Sequence, residues 1–159
     1  MHQTPTRRSP LALALRICAG VTTVALLGGC ALLEGPEPET APRKIAEAPK
    51  KPVSYVPNGT AKENQPYFTK VMVQYGKSKK PVQAEPMLQA LTKAGFQRKN
   101  MEATQSKDPW GNPAESVFVS VRFDQKCLIA QIVAKNRQVV VERGDAIGPD
   151  NNQCLIEHP

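Results

Sequence analysis

Two hydrophobic periods divide the second half of the chain. Phe68, Met72 and Tyr75, with Val71 beside them, recur at helical spacing and form one apolar stripe. Asn64-Gln65-Pro66 supplies a polar cap and a first-turn proline, so the pattern predicts a helix opening there. Gly76 and the run Gly-Lys-Ser-Lys-Lys-Pro at 76–81 end it. A second helix is predicted over Ala84–Ala94, with Pro86 in its first turn and Met87, Leu88 and Leu91 as its stripe. Gly95 stands where a left-handed cap is expected, and Phe96 folds back onto the same face.

Past Phe96 the period falls to two. Met101–Ser106 reads as a short strand, and Pro109, Trp110, Gly111, Asn112 and Pro113 make 107–115 a loop. Ser116–Phe123 alternates cleanly: Val117, Val119, Val121 and Phe123 on one face, Phe118, Ser120 and Arg122 on the other. Asp124-Gln125-Lys126 turns the chain into Cys127–Ala134, which is apolar on both faces and so reads as a central strand. After a turn at 135–137, Gln138–Glu142 is a third hairpin strand. Residues 143–153 form a loop, and Cys154-Leu155-Ile156 a short closing strand. The fold class is α+β: two N-terminal helices packed on a small antiparallel sheet of about four strands, spanning residues 65–159.

The first half reads differently. Residues 1–16 read as a polar and basic n-region, in which Arg16 interrupts an early apolar stretch, and 17–27 form a mostly apolar, uncharged run. That run is about half the ~20 residues a membrane-spanning helix requires and suits a signal-peptide core. Leu27-Gly28-Gly29-Cys30 resembles a bacterial lipobox. The resemblance implies cleavage of the 1–29 signal peptide and a diacylglyceryl anchor on Cys30. Two acyl chains hold a protein at a membrane where one does not. The expected location is the outer face of the cytoplasmic membrane, reached by the general secretory route. Arg7-Arg8 suggests the twin-arginine route, but Pro10 departs from its usual apolar pair. Between Cys30 and residue 64 stand Pro36, Pro38, Pro42, Pro49, Pro52 and Pro57, separated by Glu, Lys, Ala and Thr. This reads as a disordered, semi-stiff tether, since it offers little apolar surface to offset its ordering entropy. Fully extended it would reach on the order of 100 Å.

Charge narrows the function classes. The chain has 21 Lys+Arg and 14 Asp+Glu, a net +7, but the leader contributes Arg7, Arg8 and Arg16 and no acid. Without the leader the excess falls to +4, which undercuts a nucleic-acid reading, since such a partner requires a concentrated basic face. With 159 residues, a multi-domain enzyme is excluded.

Of the four cysteines, Cys18 leaves with the leader and Cys30 becomes the anchor. Cys127 and Cys154 remain, each opening a Cys-Leu-Ile element in an oxidising compartment, so a disulfide between them is expected. The order Pro66-Tyr67-Phe68, Ala94-Gly95-Phe96, Glu115-Ser116-Val117, Cys127-Leu128-Ile129-Ala130-Gln131 and Cys154-Leu155-Ile156 resembles a domain of unknown function in secreted actinobacterial lipoproteins. The likeness covers about residues 65–157; Ala130 stands where that family usually carries glycine. It implies export, the tether and the disulfide, and no activity.

Catalytic chemistry is hard to assemble. His158 is the sole histidine after the leader and is penultimate, so neither a hydrolytic triad nor a metal set is expected. Glu115, Asp124, Glu142 and Asp145 are the candidate paired acids, and as turn and hairpin residues they read as solvated surface. Gly76-Lys77-Ser78 lacks the spacing of a phosphate loop, and Arg143-Gly144-Asp145 reads as a turn. No cofactor is expected. Lys77, Lys79 and Lys80 share one loop, either simply solvated or set against an anionic envelope polymer or lipid. Trp110 is expected to cap the core; exposed, it would be an anchor for a partner. A non-catalytic binding module of the cell envelope is therefore expected, with a protein or anionic polymer as partner and no nucleic acid. A small envelope hydrolase is the alternative. A sheet face left bare by the two helices would serve as the docking surface.

Overall fold

The computed structural model describes residues 43–156, which begin one compact unit at Arg43. Residues 1–29, expected as a signal peptide, Cys30, the expected linker up to Pro42, and His158 lie outside the described residues.

Helix α1 spans Ala61–Lys77 and α2 Ala84–Lys93; a 3-10 turn at Arg98–Asn100 follows. Strands β1 (Met101–Ala103), β2 (Ser116–Phe123), β3 (Lys126–Val133) and β4 (Val139–Asp145) form an antiparallel meander in that order. The α+β class holds, with two helices on one sheet face.

α1 opens earlier than the sequence suggested. Thr60, not Asn64, caps it: Glu63 N–H donates to Thr60 Oγ1 (3.3 Å), and Thr60 N–H donates to the Glu63 carboxylate (2.8 Å). The Thr60 N–H and then the Thr60 hydroxyl, both donating to the carboxylate, hold the Glu63 carboxyl below its usual range. Pro66 consequently lies inside the helix. Asn64 is fully buried, and its carboxamide binds the backbone of Val56.

The linker assigned to 30–64 needs a second correction. Residues from Arg43 onward pack on the domain. Ile45 bridges Val140 at the edge of β4, and Ala46 N–H donates to Val139 O (2.7 Å). Lys70 Nζ reaches Val53 O, and the Tyr55 ring meets Phe96 edge-on at 5.1 Å. Prolines are compatible with such a strap because a sheet edge asks for few of its N–H groups.

The core face of the sheet is what the period of two predicted. Val117, Val119 and Val121 of β2 and Leu128, Ala130 and Ile132 of β3 are buried against Phe68, Met72, Met87 and Leu91. Burying each larger side chain contributes about 1.5–3 kcal/mol. Ala130 pairs with Val119 and Val141, so its methyl belongs to this core.

Cys127 and Cys154 form a disulfide with Cα atoms 5.7 Å apart. With Ala146 and Ile129 they make a second apolar cluster. The expected strand at 154–156 is absent from the described fold. The Glu102 carboxylate accepts Cys154 N–H and Leu155 N–H (both 2.9 Å), standing in for a strand partner. An Ile147–Gln153 bridge closes the preceding loop, with Gly148 at φ +86°.

Candidate functional site

The meander places its connections at two ends. The β1–β2 connection (104–115) and the β3–β4 turn (134–138) share one end; the β2–β3 hairpin at 124–125 lies at the other. The α1–α2 loop (78–83) joins the first end. Ala84 N–H donates to Ser106 Oγ (2.7 Å), and Ala134 N–H donates to Glu115 O (2.8 Å). Arg137 fastens the loops together: its guanidinium donates to Gly76 O (2.7 Å), Lys80 O (2.9 Å) and Tyr75 O (3.4 Å). Tyr75, buried beneath, donates to Pro81 O at 2.6 Å, and burial raises its phenol above the usual range.

Trp110 stands at this end, 84 % exposed. The expectation that it caps the core fails for a local reason. Asp108 organises the loop by accepting Trp110 N–H (3.0 Å), Asn112 N–H (2.8 Å) and Asn112 Nδ2 (2.9 Å). Asp108 N–H also donates to Asn112 O, and Lys107 pairs with Pro113 below the tip. The resulting tight turn projects the indole away from the sheet. The same hydrogen bonds, the Asn112 side chain first, hold the Asp108 carboxyl below its ordinary range.

Lys77, at the end of α1, and Lys79 and Lys80, on the loop that follows, are exposed, and Lys107 and Lys135 are exposed on the other two connections. None of these five has an ion-pair partner among the described residues. Of the acids nearby, Asp108 is turned into its own loop, Glu85 is paired with Arg98 (3.3 Å), and Glu115 is exposed. The structure thus gathers Trp110 and the three predicted lysines at one end. Lys107, Lys135, Arg137 and Asp108 were missed. An Asp-Pro-Trp-Gly-Asn run signals an Asx turn and could have revealed Asp108; Arg137 acts across the fold and left no local signal.

Two other surfaces compete. A half-open cavity of about 310 Å³ lies at the hairpin end, lined by Tyr55, Phe96, Asn100, Arg122 and Asp124 among others. The outer sheet face is covered at one half by the disulfide-linked segment. At the other half Phe118, Gln131, Val133 and Val140 are half-buried, with Arg43 donating to Gln131 Oε1 (2.8 Å). The candidate acids are not collected into a site: Glu115 and Asp124 stand at opposite ends, and Asp145 pairs with Lys126. Among the described residues, no cluster of three or more His, Cys, Asp or Glu could hold a metal. No described helix is long and apolar enough to cross a membrane.

Residues 72–158 match the family described as "Domain of unknown function (DUF6993)". The chain belongs to this family. The DUF6993 match opens at Met72, inside α1, and takes in Trp110, the lysines and both bridged cysteines. No curated protein and no solved structure matches the chain. The DUF6993 family supplies no catalytic assignment, so the site rests on its geometry.

Proposed function

We propose that this chain is a lipoprotein held at the outer face of the cytoplasmic membrane through Cys30, and that its DUF6993 domain is a non-catalytic binding module of the cell envelope. The anchor rests on Leu27-Gly28-Gly29-Cys30 behind a basic leader. The binding role is carried by one observation: the chain's single tryptophan is displayed, 84 % exposed, on a turn built to hold it. An indole kept out of the core beside unpaired lysines suits contact with a partner. The cavity near Arg122 and Asp124 favours a second reading, a small envelope hydrolase acting at the opposite end.

In-cell photo-crosslinking separates the two. A crosslinker at Gln105, exposed on the same connection as Trp110, should capture a membrane or envelope component, and one at Asp124 should not. Capture from Asp124 alone, or turnover of an envelope substrate by purified protein, would overturn the binding module. Cys30→Ala should leave an uncut precursor; normal processing of that variant would remove the anchor.

A further inference from the structure

We infer that the end carrying Trp110 docks on the anionic phospholipid surface of the membrane in which the chain is anchored. This deepens the binding-module reading and rests on it. Charge, side-chain type and reach point the same way.

Lys77, Lys79, Lys80, Lys107 and Lys135 are exposed without ion-pair partners, on or beside three connections that converge at one end. Arg137 stitches two of those connections together through three backbone carbonyls, so the lysines there are displayed on a fixed base. Clusters of four to eight such cations are attracted to anionic headgroups, each within a Debye length of the surface.

Indole is the side chain that favours the headgroup layer, with an apolar ring and one N–H donor. Trp110 projects at the tip; of the acids on its connection, Asp108 accepts Trp110 N–H and Asn112 N–H, and Glu115 stays exposed, so the five lysines leave this end with a net positive charge. The same lysines and indole would also serve an anionic polysaccharide, which the dextran sulfate arm of the test distinguishes.

The packed unit begins at Arg43, so the chain between it and Cys30 can extend at most about 45 Å. With the anchor in place, the domain stays within roughly its own diameter of the lipid. Weak contacts then become effective, because the local concentration of surface is high.

The test uses the chain from residue 30 onward, which keeps every residue of the compact unit, with Cys30→Ser so that no acyl chain contributes. Trp110 is the only tryptophan, so its emission reports on this end alone. Titration with phosphatidylglycerol vesicles should shift the emission to the blue, and phosphatidylcholine vesicles should leave it unchanged. Replacing Lys77, Lys79 and Lys80 with Gln should weaken binding by about five-fold per cation, on the order of 100-fold together, with the melting temperature unchanged. Unshifted emission with phosphatidylglycerol, equal binding to both lipids, or undiminished binding by the triple variant overturns the inference. Tighter binding to dextran sulfate than to the vesicles also overturns it, in favour of an envelope polymer. Cys30 takes no part in this titration, so failure here leaves the anchor and the crosslinking result standing.

Discussion

Asn64 is wholly buried, with its carboxamide oxygen accepting Val56 N–H at 2.9 Å and its nitrogen donating to Val56 O at 3.0 Å. Removing it strands Val56 N–H, at about 1–3 kcal/mol, while Val56 O keeps the Gly59 N–H at 3.1 Å. Asn64→Ala should therefore destabilise the domain by about 1–3 kcal/mol and lower its melting temperature by roughly 10 °C. Ser120 is the opposite case, since its buried hydroxyl has no hydrogen-bond partner among the described residues. Ser120→Ala should be neutral or slightly stabilising in the same melt. Neither role was legible in the sequence. Asn before Gln-Pro has the form of a cap, and its actual partner, eight residues upstream, sits in a stretch whose composition suggests solvent. Ser120 alternates with valines and reads as a solvated strand position; only the fold of the C-terminal segment decides otherwise.

At the scale of elements, the strands were legible because burial on one face imposes a period of two, and Val117, Val119 and Val121 obey it. The C-terminal segment was not, because Cys-Leu-Ile has the residue types of a strand while its N–H groups go to the Glu102 carboxylate. The disulfide that fastens this segment closes a separation of 27 residues, worth about 3.5 kcal/mol in the chain-entropy model. Replacing Cys127 and Cys154 together with Ala should lower the melting temperature by roughly 15 °C; an unchanged melt would remove the disulfide from the account of stability. The Trp110 loop is a smaller element with its own pH dependence. Its Asp108 carboxyl titrates below the ordinary value of 3.8, so the turn keeps its full stabilisation above that value and loses it as pH falls through the lowered one. Trp110 fluorescence anisotropy should stay flat from neutral pH to about 4 and fall below that. In Asp108→Ala it should be low throughout. Equal anisotropy in the two proteins at neutral pH would mean that the loop is held by something else.

For the whole molecule, the question is where the folding unit begins. Composition put the boundary near residue 65, since prolines and lysines dominate the preceding stretch, and the family match begins later still, at Met72. The structure joins residues 43–60 to the domain at separate places. Ile45 and Ala46 pair with the edge of β4, Tyr55 closes the aromatic cluster on Phe96, and Thr60 caps α1. A fragment starting at residue 65 would lose the cap, worth about 1 kcal/mol, together with the Asn64 clamp and the half-buried Tyr55 ring. The combined loss is on the order of 5 kcal/mol, comparable with the total stability of many domains this size. Limited proteolysis of the chain from residue 30 onward should therefore give a resistant fragment beginning near Arg43. Expressed alone, residues 43–159 should melt cooperatively at the temperature of the longer chain. Residues 65–159 should melt far lower or show no near-ultraviolet signature of fixed packing. Equal melting of the two fragments, or rapid cleavage between 46 and 60, would return the strap to the linker. The span between the proposed anchor and the domain would then lengthen with it, and the proposed contact of Trp110 with lipid would lose its argument from short reach.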